Sequence, residues 1–356
     1  MVADRRRGGG IRLQYRVHDP FRPLHEALRH GGHRTCRTMI IARRGGPLVT
    51  RNARYRSETH ANAPNSESET EPDYAREFAM SQSSAAYPSA VPVGVDTTRA
   101  SIARVYDAFL NGKDNFEVDR EVLARVQSVA PQATDLAWAN RDFLIRVCRF
   151  LAKQTGVEQY LDLGSGLPTA ENTHQVVQRI RPESRVVYVD NDPMVLAHAR
   201  ALLEENPDTS IVTADIFQPF EVLENKVVRS ELDFDRPIAL FQIGTIHHYL
   251  GEDGAAMMQT YIDALPSGSY VAIAHFLDPQ TPEFTELAQK MEDKFVHSPM
   301  GSGRFRTFDE IQAFFGDLEM VEPGLVLCDD WWPDGPRLEP LSPVRNCIVG
   351  GVGRKR

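Results

Sequence analysis

The chain is poor in cysteine and has no long apolar run. Its four cysteines lie far apart and form no C-x-x-C pair, which argues against a zinc site and predicts a reducing compartment, the cytoplasm. No apolar stretch approaches the roughly 18 residues of a membrane helix, and the N-terminus lacks the apolar core of a secretory signal. We therefore expect no metal site, no membrane partner and a cytoplasmic location.

Lysine is absent from the first 57 residues, which hold 14 arginines and three acidic residues. This segment carries a charge of +11, so the remainder of the −9 chain carries −20. Basic arms can bind nucleic acid, but the acidic body argues against such a partner. The segment has no periodic apolar face, and residues 61–72 are almost all small or polar. We predict that residues 1–95 are a disordered, dispensable extension, with Met80 as an alternative natural start.

Beyond residue 97 the apolar pattern alternates between helical and strand spacing. Three helices are predicted first, in an N-terminal helical segment over 96–156. Short apolar strands separated by amphipathic helices then predict an α/β domain over 157–356, Rossmann-like, with helices on both faces of a mostly parallel seven-stranded sheet. The predicted strands are 159–163, 185–190, 210–213, 237–242, 270–274, 324–328 and 345–350.

A glycine turn follows the first predicted strand, and an acid ends the second. Asp162, Gly164 and Gly166 form D-x-G-x-G, and Asp190 stands where an acid accepts hydrogen bonds from ribose hydroxyls. The third glycine of a dinucleotide-binding turn is missing, because Thr169 takes its place. Asp162 would repel a pyrophosphate but suits a sulfonium or an ammonium group. The pattern therefore predicts S-adenosylmethionine as the cofactor.

Further cofactor contacts are predicted around this turn. The third strand ends in a corner that meets the adenine in such folds, where Asp215 can accept from the adenine amine and Ile216 offers an apolar face. Ser165 can add a hydroxyl, and Asn191 follows the ribose-binding acid. Asp192 precedes a proline and fits an N-terminal helix cap as well as a ligand.

Two adjacent histidines follow the fourth predicted strand, at the edge where open α/β sheets bind ligands. His247 and His248 are candidates to take a proton from an attacking nucleophile. His275, after the fifth strand, is a further candidate. Methyl transfer from a sulfonium is an in-line displacement, so the alternative is positioning without a base.

The segment before the sheet crowds polar, charged and aromatic residues around one turn. It reads R-V-Y-D-x-x-L-N-G-K-D-N-F-x-x-D over 104–119 and N-R-x-F-L over 140–144. D-L-G-S-G-L-P-T and V-V-Y-V-D-N-D-P follow in order. These motifs resemble the S-adenosyl methyltransferase family of high-GC bacteria, once a domain of unknown function, over about residues 97–350. The chain departs from the family pattern at Asn111, where glycine is more usual, and at the paired histidines, where one is usual.

The resemblance implies a class I methyltransferase fold and S-adenosylmethionine as cofactor, but it supplies no substrate. We expect the turn of the N-terminal helical segment to close over the cofactor as a lid. Tyr106 would shield the sulfonium and shape the acceptor pocket, and Asn115 would contact the cofactor. Arg141 would pair with the cofactor carboxylate through two hydrogen bonds. The competing interpretation is that these helices only extend the core.

The leading hypothesis is therefore an S-adenosylmethionine-dependent methyltransferase that acts on a small-molecule acceptor. One alternative is a non-catalytic protein that binds S-adenosylmethionine or S-adenosylhomocysteine. Another is a nicotinamide-dependent reductase, against which the missing third glycine and Asp162 both argue.

Overall fold

The computed structural model describes residues 91–169, 171–203 and 206–356. The predicted disorder and dispensability of the N-terminal extension, and the alternative start at Met80, concern residues that lie almost entirely outside this range. Within it, no helix combines the length and the apolar character needed to cross a bilayer.

A mostly parallel sheet forms the centre of the described chain. The first five strands run parallel, the last strand is antiparallel to the fifth, and two short strands pair with the last. The order across the sheet is β3-β2-β1-β4-β5-β8-β6, with β7 also beside β8. The strands are β1 (Gln159–Leu163), β2 (Arg185–Asp190), β3 (Thr209–Thr213), β4 (Ala239–Ile243), β5 (Tyr270–Phe276), β6 (Glu319–Met320), β7 (Val326–Leu327) and β8 (Ile348–Arg354).

The predicted fold class is confirmed, but the sheet has eight strands among the described residues where seven were predicted, because β6 precedes the predicted strand 324–328, of which only Val326–Leu327 pairs. Between β6 and β7, Pro323 has no N–H to donate and Gly324 adopts a φ of +88°, so one long strand cannot form there. The last strand begins three residues later than predicted, because residues Pro343–Cys347 form a 3₁₀ helix.

Helices cover both faces of the sheet. Two of them differ in extent from the prediction for local reasons. Asn172 caps its helix with Gln175, so that helix begins at Thr173 rather than at 169. Asn225 accepts from Val227 N at 2.9 Å and starts a new helix inside the predicted 220–229. The helices are α1 (Ile102–Phe109), α2 (Glu117–Gln127), α3 (Thr134–Gln154), α4 (Thr173–Ile180), α5 (Pro193–Leu203), α6 (Pro219–Leu223), α7 (Lys226–Glu231), α8 (Gly254–Ala264), α9 (Pro282–Val296) and α10 (Phe308–Gln312).

Successive strand residues feed two separate cores. Tyr160 and Phe241 lie on one face of the sheet, with ring centroids 6.0 Å apart, while Leu161 and Leu240 lie in the core on the other face. Burial of a leucine of this kind stabilises the fold by about 1.5–3 kcal/mol. Burial on both faces explains why these strands are continuously apolar.

The chain reverses its direction of progress across the sheet between β3 and β4. It builds outward from β1 through β2 to β3 and then returns to place β4 on the other side of β1. The carboxyl ends of β1 and β4 therefore flank a switch point, which is where open α/β sheets bind ligands. The glycine turn follows β1 and the paired histidines follow β4, so the topology brings both motifs to this edge.

Residues just before the predicted boundary at residue 96 contact the rest of the described chain. Val95 packs against the buried side chains of Leu167, Met194 and Val195. The backbone carbonyl of Asp96 accepts from Arg104 Nη2 at 3.2 Å.

We predict different outcomes for two shortened proteins. A protein starting at Val91 should keep the melting temperature and S-adenosylhomocysteine affinity of the full chain. One starting at Thr97 should lose about 1–2 kcal/mol of stability with the Val95 contact and the Arg104 hydrogen bond. Thermal unfolding and calorimetry of both proteins test this. Equal melting temperatures for the two shortened proteins would show that Val95 does not contribute to stability. A lower melting temperature for the protein that starts at Val91 than for the full chain would show that residues 1–90 contribute.

Candidate active site

The glycine turn after β1 packs on one side and is open on the other. Gly164 and Gly166 have φ values of +77° and +66°, which β-carbon-bearing residues rarely adopt. A Cβ on Gly164 would lie 2.6 Å from Thr245 Cγ2 in the loop after β4, so the two loops are in direct contact. A Cβ on Gly166 would meet no atom within 4 Å. The turn thus leaves room at Gly166 for a ligand to approach the backbone.

Asp190 at the end of β2 holds this turn in place. One carboxylate oxygen accepts from Gly166 N at 2.9 Å, and the other accepts from Asp192 N at 2.9 Å. The side chain is buried, and burial raises the pKa of Asp190 above its usual value. Asp192 accepts from Met194 N at 2.7 Å, which is the predicted helix-cap geometry at the start of α5.

Asp162 lies in β1, just before the glycine turn; the space beside the turn, Asp162 and Asp190 is called the cleft below. Asp162 Oδ2 accepts from Thr173 Oγ1 at 2.6 Å. Burial raises the pKa of Asp162 to about 6, and the nearby Asp190 carboxylate adds to the rise, while Thr173 and the Arg141 guanidinium oppose it. Arg141 is itself buried and donates from Nη2 to Asn172 Oδ1 at 3.3 Å. The cleft therefore combines two carboxylates with one guanidinium.

The remaining predicted cofactor residues surround the turn. The buried Ser165 hydroxyl has no hydrogen-bond partner among the described residues. Asn191 is exposed beside Asp190 and donates its backbone N–H to that carboxylate. Ile216 lies next to the glycine turn, 3.1 Å from the position of a Cβ on Gly164. Asp215 orders the corner after β3, because its carboxylate accepts a hydrogen bond from Phe217 N at 2.9 Å.

The polar motif before the sheet builds a rigid turn between α1 and α2. Asp107 Oδ2 accepts from Asp114 N at 2.9 Å and from Asn115 Nδ2 at 2.7 Å. A Cβ on Gly112 would lie 2.0 Å from Asp107 Oδ1, so the turn requires glycine there. Asn111 adopts a φ of +59°, the left-handed region that glycine prefers and asparagine tolerates, which accounts for the family departure.

A buried ion pair fastens the same turn to α1. Arg104 Nε donates to Asp119 Oδ2 at 2.8 Å, and that oxygen also accepts from Phe116 N at 2.8 Å. The Asn115 amide, which we expected to contact the cofactor, is engaged within the turn, since its Oδ1 accepts from Arg120 Nη1 at 2.9 Å. These scaffold roles were not predicted, although Asp107 and Asp119 are visible in the motif.

The three residues predicted to be catalytic meet in one pocket. It encloses about 420 Å³, counting its open mouth, between α1, α3, α9 and the loop after β4. Tyr106, His247 and His248 all line it, together with Asn140 and Gly244. The other lining residues are apolar: Ile102, Val105, Phe109, Leu136, Ala137, Phe276, Phe295 and Met300.

The histidines are held neutral. Burial lowers the pKa of His247 well below its usual value, and the rings of His248 and His275 add to this. Burial lowers the pKa of His248 to about 3, and its Nδ1 lies 2.9 Å from Ser302 Oγ. Both nitrogens of His275 are engaged, at 2.7 Å with the Phe276 carbonyl and at 2.9 Å with Arg306, so it is a structural residue. Neutral imidazoles of such low basicity favour the alternative of positioning over general-base catalysis.

The parallel sheet with its switch point, the glycine turn and the two strand-end acids define a class I S-adenosylmethionine-dependent methyltransferase. Residues 89–356 match the family described as S-adenosyl methyltransferase. The chain belongs to this family, as its motifs predicted, and is accordingly a methyltransferase.

Two solved structures are similar to this chain. A candidate methyltransferase from Thermobifida fusca YX is 43% identical, with a TM-score of 0.71 over 76% of this chain and 99% of that one. A DUF574 family protein from Streptomyces avermitilis MA-4680 is 36% identical, with a TM-score of 0.68 over 73% of this chain and 99% of that one. No protein of curated function matches this sequence significantly.

Proposed function

We propose that this protein binds S-adenosylmethionine at the glycine turn and methylates a small molecule held in the adjoining pocket. The observation that carries the proposal is the shared wall between cleft and pocket. Thr245 touches the glycine turn on one side. Its neighbour Gly244 lines the pocket on the other side, where it packs closely on Asn140: a Cβ on Gly244 would lie 2.7 Å from Asn140 Nδ2. A cofactor in the cleft would therefore present one end to the pocket.

The residues of the cleft fit this cofactor in charge and in shape. Asp190 would hold the ribose hydroxyls, and the open space at Gly166 would admit the nucleoside. Asp162 and Arg141 would bind the ammonium and the carboxylate of the methionine part, since the guanidinium lowers the pKa of that same aspartate. The buried Ser165 hydroxyl, which has no hydrogen-bond partner in the described part of the chain, would supply one more polar contact.

The adenine would lie against the corner after β3. Ile216 offers an apolar surface beside the glycine turn, and Asp215 is placed to accept from the exocyclic amine. A pyrophosphate at the glycine turn would meet the buried Asp162 carboxylate instead, which argues against a nicotinamide dinucleotide.

When bound, S-adenosylmethionine would supply a methyl carbon that a lone pair on the acceptor attacks; the carbon–sulfur bonding pair leaves on sulfur to give S-adenosylhomocysteine, and the proton that the acceptor then loses passes to solvent. The chain's own contribution is to orient the acceptor and to exclude water. Aromatic side chains from α1, β5 and α9 surround the pocket, and the neutral His247 and His248 can hydrogen-bond but are weak bases. Catalysis would therefore rest on alignment.

Calorimetry and mass spectrometry test the proposal together. S-adenosylmethionine and S-adenosylhomocysteine should bind, and NADH should not. A metabolite extract incubated with the protein and methyl-labelled cofactor should then yield a labelled small molecule. NADH binding without an S-adenosylmethionine signal would overturn the assignment, and cofactor binding without any labelled product would favour a non-catalytic binding protein.

The proposal that the N-terminal helical segment closes over the cofactor as a lid can be tested separately. Tyr106 on α1 lines the pocket, and the Arg104–Asp119 pair joins this helix to the rigid turn. S-adenosylhomocysteine should therefore slow amide exchange across residues 104–120 as well as around the cleft. Hydrogen exchange with and without the ligand measures this. Protection confined to the cleft would mean that these helices only extend the core.

A further inference from the structure

Asn140 on α3 presents an unused hydrogen-bond acceptor at the pocket. Its side chain is 5% exposed, and its Nδ2 donates to Tyr106 Oη at 2.9 Å. Its Oδ1 is buried and has no hydrogen-bond partner among the described residues. A buried acceptor left unpaired is costly, so such an atom beside a pocket indicates a ligand that donates to it.

The neighbouring hydrogen bonds decide which end of this amide is free. The Ala137 carbonyl can only accept, so Tyr106 Oη donates its proton there, at 3.2 Å. Tyr106 must then accept from Asn140, which turns the NH₂ group toward the tyrosine and leaves the amide oxygen unpaired. The orientation of the Asn140 amide thus follows from two linked hydrogen bonds, from Asn140 to Tyr106 and from Tyr106 to the Ala137 carbonyl.

His247 carries a second unpaired atom in the same pocket. Its Nδ1 is buried without a hydrogen-bond partner among the described residues, and its ring stacks on Phe276 with centroids 3.7 Å apart. A neutral imidazole can donate or accept at such a nitrogen. The pocket therefore offers two polar contacts, on α3 and on the loop after β4.

The rest of the wall is aromatic and uncharged. The rings of Phe109 and Phe276 each stack on Phe295, with centroids 5.8 Å and 5.5 Å apart. None of the described lining residues is an aspartate, glutamate, lysine or arginine. A charged ligand would lose its hydration without gaining a partner, whereas a planar ring gains favourable contacts with the phenylalanine faces.

We infer that the methyl acceptor is an uncharged, planar aromatic molecule whose O–H or N–H group donates to Asn140 Oδ1. The inference rests on the proposed function and names the substrate class of that same site. The hydrogen bond to Asn140 directs the reacting heteroatom toward the shared wall with the cofactor cleft.

Three probes of similar shape test this with the protein saturated with S-adenosylhomocysteine. The probes are 2-naphthol, which can donate; naphthalene, which cannot; and 2-naphthoate, which is charged. By calorimetry, 2-naphthol should bind about 10-fold or more tighter than naphthalene, and 2-naphthoate should bind most weakly. Asn140→Leu should abolish the preference for 2-naphthol over naphthalene. The matched control Asn346→Leu, outside the pocket lining, should keep it.

The outcomes separate this inference from the proposed function. Failure of S-adenosylhomocysteine to bind would overturn the function itself. Normal S-adenosylhomocysteine binding with equal affinity for all three probes, or with no binding of 2-naphthol, would overturn the acceptor class alone. Should Asn140→Leu fail to fold, the ranking of the probes on the unaltered protein still decides, because an apolar pocket without a free acceptor would not favour 2-naphthol.

Discussion

Asp190→Ala is expected to weaken S-adenosylhomocysteine binding by about 1.5–3 kcal/mol, a roughly 10- to 150-fold rise in Kd. The ribose would lose its charge-assisted hydrogen bonds to the Asp190 carboxylate. The substitution would also release Gly166, whose N–H donates to the Asp190 carboxylate at 2.9 Å, so the glycine turn would no longer be held open for the ligand. The first loss acts on the bound state, and the second acts on the shape of the site before the ligand binds.

A neighbouring aspartate provides the control. Asp192 lies two residues away, but its carboxylate accepts from Met194 N at the start of α5. Asp192→Ala should therefore cost about 1 kcal/mol of stability, as the loss of a helix cap does, with a Kd close to that of the unaltered protein. Calorimetry and thermal unfolding of both variants separate the two roles. An unchanged Kd in folded Asp190→Ala would remove this residue from the site.

Asp162→Asn is expected to stabilise the ligand-free protein and yet weaken cofactor binding. Burial raises the pKa of this carboxyl to about 6, so at pH 7 the folded protein holds a charge in an unfavourable place. The isosteric amide removes that charge and can still accept from Thr173. The expected gain is about 1–3 kcal/mol in the free energy of unfolding at pH 7. The loss of the carboxylate removes the partner of the cofactor's ammonium group.

The direction of the expected pH dependence follows from the pKa values of Asp162 in the unfolded and folded states. The unfolded carboxyl loses its proton near pH 4, and the folded one near pH 6. Between these values the folded state binds the extra proton, so the contribution of Asp162 to stability falls as pH rises and is fully lost above about pH 6. The stability difference between Asp162→Asn and the unaltered protein should therefore be near zero at pH 4 and largest above pH 6.

Urea unfolding at several pH values, paired with calorimetry at pH 7, measures both effects. Asp235→Asn, a change in an exposed loop before β4, is the matched control and should leave stability and Kd nearly unaltered. A destabilised Asp162→Asn at pH 7, or a stability difference independent of pH, would contradict the account of a buried charge.

The position of the two acids beside the glycine turn was predictable because their signal is local. An apolar strand that runs into a glycine turn, and a second strand that ends in an acid, each occupy a few residues. Parallel strands bring their carboxyl ends to one edge, so Asp162 and Asp190 had to be neighbours once the alternation of strand and helix was recognised. The fold class followed from the same periodicity.

The role of the polar motif before the sheet was not predictable in this way. Asp107, Asn115 and Asp119 were visible as a crowded turn, but whether they bind a ligand or each other depends on which side chains the packing of α1 and α2 brings together. Asp119 meets Arg104 across 15 residues, and Asn115 meets Asp107 across eight. Propensity and periodicity say nothing about such pairings.

The sequence alone sufficed for the order of the five parallel strands, the glycine turn, and the acids in β1 and at the end of β2, because each depends on residues adjacent along the chain. Only the packing of the fold shows that His275 is held by Arg306 while His247 lines a pocket. It also places Asn140 beside Tyr106, 34 residues away, with an amide oxygen that no described residue hydrogen-bonds. Burial and hydrogen-bond partnership are properties of a packed neighbourhood. They set the charge state and the availability of a side chain, and neighbouring residues in sequence do not specify them.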